Sequence, residues 1–182
     1  MENTNKISTK QLTLIGVMTA VTCILGPLSL QIGIVPISFT NLAIYFSVYL
    51  LGGKRGTLSY LVYLFIGLVG LPVFSGFTGG FPKVFGPTGG YLIGFIFMAF
   101  ISGIFIDKFS SKIYMCFLGM IIGTIVTYLF GTAWLAFQAN LTFNAALSLG
   151  VLPFIPGDIA KMVIAALIAP QIKKRLQGAG LY

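Results

Sequence analysis

The sequence predicts an all-α integral membrane protein, one domain over residues 1–182 with six transmembrane helices, and three observations carry that expectation. Hydrophobic residues make up 57% of the chain and charged ones only 8%, with mean hydropathy +1.01. A soluble domain averages about 25% charged residues, so no water-facing surface can be assembled from this chain. Six apolar runs, at 12–30, 35–51, 57–71, 90–106, 113–137 and 156–172, approach the roughly 20 helical residues needed to cross a hydrocarbon core. Finally, nine of the eleven Lys and Arg residues lie in alternate gaps between these runs. Lys6 and Lys10 precede the first run, Lys54 and Arg55 follow the second, Lys108 and Lys112 the fourth, and Lys173, Lys174 and Arg175 the sixth. Basic loops remain in the cytoplasm, so both termini are expected there.

The first run follows two lysines but is longer than a signal-peptide core and lacks a small-x-small cleavage site, so it reads as a retained helix. Within it, Gly16 and Ala20 form a small-xxx-small pattern that lets another helix approach closely, inside the bundle or from a membrane partner. The second run contains Asn41, whose amide needs a partner inside an apolar span. The third run is short, and residues 72–89 after it are rich in glycine and proline interleaved with Phe74, Phe77, Phe81 and Phe85. Glycine permits positive φ and proline stops a helix, so this reads as a long outer loop between the third and fourth helices, with the makings of a lid. Tyr91 opens the fourth run, and Trp134 and Gln138 close the fifth. The uncharged connection 138–155 is too apolar for a free loop and reads as partly helical. The sixth run opens with Pro156-Gly157-Asp158-Ile159-Ala160-Lys161.

The net charge of +8 would suggest nucleic acid in a soluble protein. Here the cations flank apolar spans, so an anionic bilayer explains them and nucleic acid is excluded. With no histidine and three acids, Glu2, Asp107 and Asp158, neither hydrolytic chemistry nor a metal site is supported, and the chain does not read as an enzyme. Cys23 and Cys116 lie apart within apolar runs and read as core residues. Gly53-Lys54 is followed by Arg55, and position 48 is Val48, so the ATP-binding loop is absent and any ATP-driven transport needs energy from another subunit.

Topology leaves Lys83, Asp158 and Lys161 unexplained, and an intramembrane ionisable group is a functional-site hypothesis by default. Asp158 near a helix N-terminus also suits the macrodipole, and Lys161 three residues on can pair with it. A lysine at that end opposes the dipole, however, so the pair reads better as a site. Its expected neighbours are Asn41, Tyr91, Trp134 and Gln138, with Lys83 and Phe85 reaching in from the outer loop. The pair offers a carboxylate to N–H donors and an ammonium to a carboxylate or carbonyl oxygen.

Three segments, Gly70-Leu71-Pro72-Val73-Phe74, Gly86-Pro87-Thr88-Gly89-Gly90-Tyr91 and Gly150-Val151-Leu152-Pro153-Phe154-Ile155-Pro156-Gly157-Asp158-Ile159-Ala160-Lys161, resemble the BioY family. Those proteins are the biotin-specific S-components of energy-coupling-factor transporters, and the resemblance runs from about Leu12 to Arg175. It implies a multi-pass subunit of a prokaryotic cell membrane that captures biotin from outside and works with a transmembrane coupling protein and two cytoplasmic ATPases. Asp158 and Lys161 sit where the family's motif Asp and Lys sit. Gly16 and Ala20 fall where S-components carry small residues for contact with the coupling protein. Biotin enters as cargo rather than as a cofactor. An S-component for another vitamin, or a self-sufficient carrier of a small carboxylate, is the other reading the residues allow.

Overall fold

A computed structural model describes residues 8–31, 34–110 and 112–180. Its elements in order are α1 (Thr9–Leu25), β1 (Ser29–Leu30), β2 (Ile37–Ser38), α2 (Thr40–Leu51), α3 (Gly53–Leu68), α4 (Phe81–Val84), α5 (Gly89–Lys108), α6 (Ile113–Gln138), α7 (Phe143–Gly150) and α8 (Ile155–Gly178). The six longest helices fall on the six apolar runs. By length and composition α5, α6 and α8 can each cross a membrane, while α1 and α2 are shorter apolar helices. The expected position of the N-terminal lysine Lys6 lies outside the described residues.

The element boundaries differ from the sequence expectation where local chemistry intervenes. Helix α1 opens with a capping box between Ser8 and Gln11 and stops before Gly26-Pro27, because proline cannot continue the ladder. The second run begins not as helix but as β2, paired antiparallel with β1 in the register Ser29↔Ser38 and Leu30↔Ile37. Pro36 favours extended backbone before it, so α2 starts only at Thr40. Lys54 and Arg55 belong to α3 and not to a loop. A single residue, Gly52 at φ 81°, joins α2 to α3, a left-handed conformation that glycine adopts without penalty. The Asp107 carboxylate accepts the Gly53 N–H at 2.8 Å, satisfying a donor that the helix itself leaves free. Asp107 is therefore a helix residue with a structural partner. Helix α8 carries Lys173, Lys174 and Arg175 in its final turns and runs through Pro170.

The main core lies between α2, α3, α5, α6 and α8 and includes Tyr45, Tyr60, Tyr63, Met98 and Met120, all at most 1% exposed. Helices α3 and α5 cross backbone to backbone, since a methyl on Gly103 would overlap Gly53. Helix α1 packs through Ile15 and Met18 against Leu50, Leu51 and Leu176, and Thr19 binds the Ser59 carbonyl at 3.1 Å. The Lys10 ammonium donates to the Gly180 carbonyl at 3.0 Å, so the start of α1 and the end of α8 share one end of the bundle. Large apolar side chains such as Leu12, Phe65, Leu129 and Leu167 point outward, which suits a hydrocarbon solvent and not water.

The 72–89 segment is held at both ends. Phe74 is fully buried and occupies the space a side chain on Gly67 would fill, with Tyr63 donating to the Val73 carbonyl at 2.9 Å. At the far end, Trp134 Nε1 donates to the Gly86 carbonyl at 2.9 Å and Gln138 Nε2 to that of Phe85 at 2.6 Å. The apolar 138–155 connection contains α7, capped by the Thr142 hydroxyl.

Candidate functional site

The first turns of α2 and α8 converge at the end of the bundle opposite the termini. Asn41, Asp158 and Lys161 are 4%, 7% and 7% exposed, and their polar groups bind one another. Asn41 Nδ2 donates to Asp158 Oδ1 at 2.8 Å. Lys161 Nζ donates to Asp158 Oδ1 at 3.0 Å, to Asn41 Oδ1 at 3.1 Å and to the Ser38 carbonyl at 2.7 Å. Tyr128, from the C-terminal half of α6, donates to Asp158 Oδ2 at 2.7 Å. A buried ion pair is tolerated only when further hydrogen bonds satisfy both partners, and here they do. The Phe39 ring lies 5.9 Å from the Lys161 ammonium, within cation–π range.

Asp158 does not cap its helix. No side chain caps the N-terminus of α8, and the carboxylate is turned onto three side-chain donors. Counting donors and acceptors then assigns what remains for a ligand. Lys161 has three N–H groups and all are engaged. One of Asn41's two amide N–H groups is uncommitted. A carboxylate offers about four acceptor positions, and three are used, which leaves one on Oδ2.

This network lies at one wall of a pocket that combines apolar wall with a few placed polar groups, as small-molecule sites do. Leu92, Phe95, Met98 and Phe154 supply apolar wall, and Ser38, Thr88, Thr124 and Thr127 add hydroxyls. Below it, Tyr45 and Thr124 bond at 2.5 Å, closing the bundle. Lys83 enters the cavity wall from α4. Its ammonium makes no hydrogen bond or ion pair among the described residues, and burial holds its pKa below the usual lysine range.

Of the residues singled out from sequence, Asn41, Lys83, Tyr91, Asp158 and Lys161 all line this cavity. Tyr91 contributes its ring, while its hydroxyl is spent on the Gly150 carbonyl at 2.9 Å. Trp134, Gln138 and Phe85 stand outside the wall. The first two hold the backbone of the 72–89 segment, and Phe85 is exposed and stacked on Phe81 at 6.1 Å. Gly16 and Ala20 lie on the outward face of α1, far from the cavity. Tyr128 and the Ser38 carbonyl were missed. A phenol inside an apolar span demands a partner as an amide does, so the reasoning applied to Asn41 would have found Tyr128. A backbone carbonyl carries no such signal. Among the described residues, no three His, Cys, Asp or Glu side chains gather as metal ligands.

Comparison with known proteins places this geometry. A family model described as the BioY family matches residues 1–178. A "Probable biotin transporter BioY" of Pyrococcus horikoshii is 40% identical over 169 residues, covering 93% of this chain and 97% of that protein. The "Biotin transporter BioY" of Thermotoga maritima is 38% identical over 165 residues, covering 91% and 96%. A crystal structure at 2.1 Å of "the S-component for biotin from an ECF-type ABC transporter" superposes with a TM-score of 0.85. It is 36% identical in sequence and the match covers 96% of this chain and 95% of that one.

Proposed function

This chain belongs to the BioY family, and from that premise we propose that it is the biotin-binding S-component of an energy-coupling-factor transporter. It is a transporter component and not an enzyme. The observation that carries the reading is the Asn41–Tyr128–Asp158–Lys161 network set into a mainly apolar cavity. Biotin has a cyclic urea with N–H beside C=O, an apolar thioether ring and tail, and a terminal carboxylate. The free acceptor on Asp158 takes a ureido N–H, and the uncommitted Asn41 N–H meets the ureido oxygen. Leu92, Phe95 and Met98 flank the apolar part. Lys161, with its donors filled, holds Asp158 in place, so the carboxylate goes to the unpaired ammonium of Lys83.

The finer points of topology and assembly belong to the same proposal. Six helices cross a prokaryotic cell membrane with both termini in the cytoplasm, supported by the basic residues at one end and by the Lys10–Gly180 contact. The site then opens outward and captures biotin from outside. The absence of an ATP-binding loop calls for a coupling protein and two ATPase subunits, which would meet the small-residue face of α1.

Equilibrium binding of biotin to the purified protein in detergent tests the reading, and no binding would remove it. Lys83→Met tests the orientation. Loss of a charge-assisted contact worth about 1.5–3 kcal/mol weakens biotin roughly 10–150-fold and leaves biotin methyl ester unchanged. Equal losses for both ligands would move the carboxylate elsewhere.

Segment 72–89 should respond to the ligand in its middle, because both ends are already latched. Residues 75–85 bring Ser75 and Lys83 to the cavity, and ligand contact there shields the site and slows release. Hydrogen exchange of these amides is expected to slow with biotin present. Equal exchange with and without ligand would make the segment a fixed wall and not a lid.

A further inference from the structure

A second pocket lies at the opposite end of the bundle, lined by Tyr49, Ser110, Ile113, Cys116, Ala166, Leu167 and Pro170. We propose that it binds the hydroxyl-bearing headgroup of an anionic phospholipid of the phosphatidylglycerol type.

Tyr49 is 4% exposed, yet its hydroxyl has no hydrogen-bond partner beyond the nearby Cys116 sulfur, a weak acceptor. Leaving such a group unpaired in an apolar setting is costly. Pro170 and Ala166 line the same space. Lacking an N–H, Pro170 leaves the Ala166 carbonyl without the helical bond any other residue would supply. The pocket thus presents a hydroxyl whose partner is a weak sulfur acceptor, beside a stretch of α8 whose ladder lacks one bond, and a ligand hydroxyl, both donor and acceptor, suits that wall.

Location and charge make that hydroxyl a lipid's. Ile113 and Leu167 at the rim are half exposed on the outer surface of the bundle, so the cavity opens sideways to acyl chains. Cys116 and Pro170 lie four and three residues inside Lys112 and Lys173 on their own helices, about one turn or 5 Å below the basic plane, and Tyr49 lies in the last turn of α2 before the link to Lys54. Lys173 is near enough for its charge to bear on Cys116. Among the described residues Asp107 is the one acid at this end, against Lys54, Arg55, Lys108, Lys112, Lys173, Lys174 and Arg175, so the field is positive, and Asp158 is at the other end. Basic pockets between transmembrane helices on the cytoplasmic side are a recurrent setting for anionic headgroups. The inference rests on the membrane orientation proposed above and is independent of biotin.

The test measures the thermal unfolding midpoint of the full-length protein in detergent, titrated with dioleoyl phosphatidylglycerol or dioleoyl phosphatidylcholine. The probes are wild type, Tyr49→Phe and Leu167→Trp, the last filling the mouth without touching the polar floor. Phosphatidylglycerol is expected to raise the wild-type midpoint by roughly 3–5 °C, phosphatidylcholine by much less, and both variants to lose most of the difference. The biotin dissociation constant should be unchanged in all three, which separates this result from the fate of the vitamin site. Equal shifts from both lipids, or an undiminished phosphatidylglycerol shift in the variants, overturn the proposal. So does a Tyr49→Phe protein that is more stable than wild type in either lipid, which would mark the hydroxyl as a plain unpaired group.

Discussion

Asp158→Asn is expected to weaken biotin binding by roughly 10–150-fold or more and to destabilise the protein as well. The carboxylate accepts from three donors, Asn41 Nδ2, Lys161 Nζ and Tyr128 Oη. An amide accepts through one oxygen, so with that oxygen kept toward Asn41 and Lys161 its NH2 faces the Tyr128 hydroxyl and removes the acceptor position left for the ligand, and no anion remains for Lys161. Each hydrogen bond to a charged group is worth about 1.5–3 kcal/mol. Leaving the Lys161 ammonium buried without its anion costs about 3–5 kcal/mol of stability. Those two losses are separable. Adding Lys161→Met to Asp158→Asn removes the stranded charge, so the double variant should regain much of the thermal stability while biotin binding stays weak. If the double variant regains binding too, the pair is structural and the ligand contacts lie elsewhere. If the single variant binds biotin as tightly as wild type, the site assignment fails.

How far the sequence led depends on whether a property is carried by pattern or by contact. Helix number and placement are pattern: long apolar runs, and basic residues recurring at one end. Asp158 and Lys161 were conspicuous because charge is so scarce in this chain. Their partner Asn41 was visible because an amide inside an apolar span needs a partner. Tyr128 carries the same demand for a partner, but tyrosine is common in membrane spans, and only the fold singles it out by bringing it to Asp158, 30 positions away. Lys161's third bond goes to the Ser38 backbone in a two-residue strand, and so short a hairpin has no period to read. Trp134 and Gln138 look from sequence like residues near a ligand, because polar groups at a span's end suit that role. Only coordinates reveal that they grip the backbone of Gly86 and Phe85. The difference between a wall and a brace lies in side-chain direction, on which composition is silent.

Replacing Gly16 or Ala20 with Trp is expected to abolish biotin uptake by cells, at least roughly tenfold or about 1.4 kcal/mol in coupling, while sparing binding to the purified subunit. The fold sharpens this expectation. Helix α1 turns Ile15, Met18, Thr19 and Thr22 inward and Gly16 and Ala20 outward. A side chain on Gly16 meets nothing within 4 Å, so a large ring there displaces no packed atom. Folding is favoured if anything, because glycine inside a helix costs about 0.5–1 kcal/mol relative to alanine. The small residues form a flat strip flanked by Leu12, Val17 and Ile24, which are 61%, 52% and 66% exposed. Such a strip admits the backbone of another helix, and an indole standing on it would hold that helix away. The informative quantity is the loss of uptake relative to the loss of binding. Uptake that survives intact would leave this face to lipid alone, and parallel losses would place the residues inside the bundle's own packing. Uptake lost with binding preserved assigns the outward face of α1 to the energised partner.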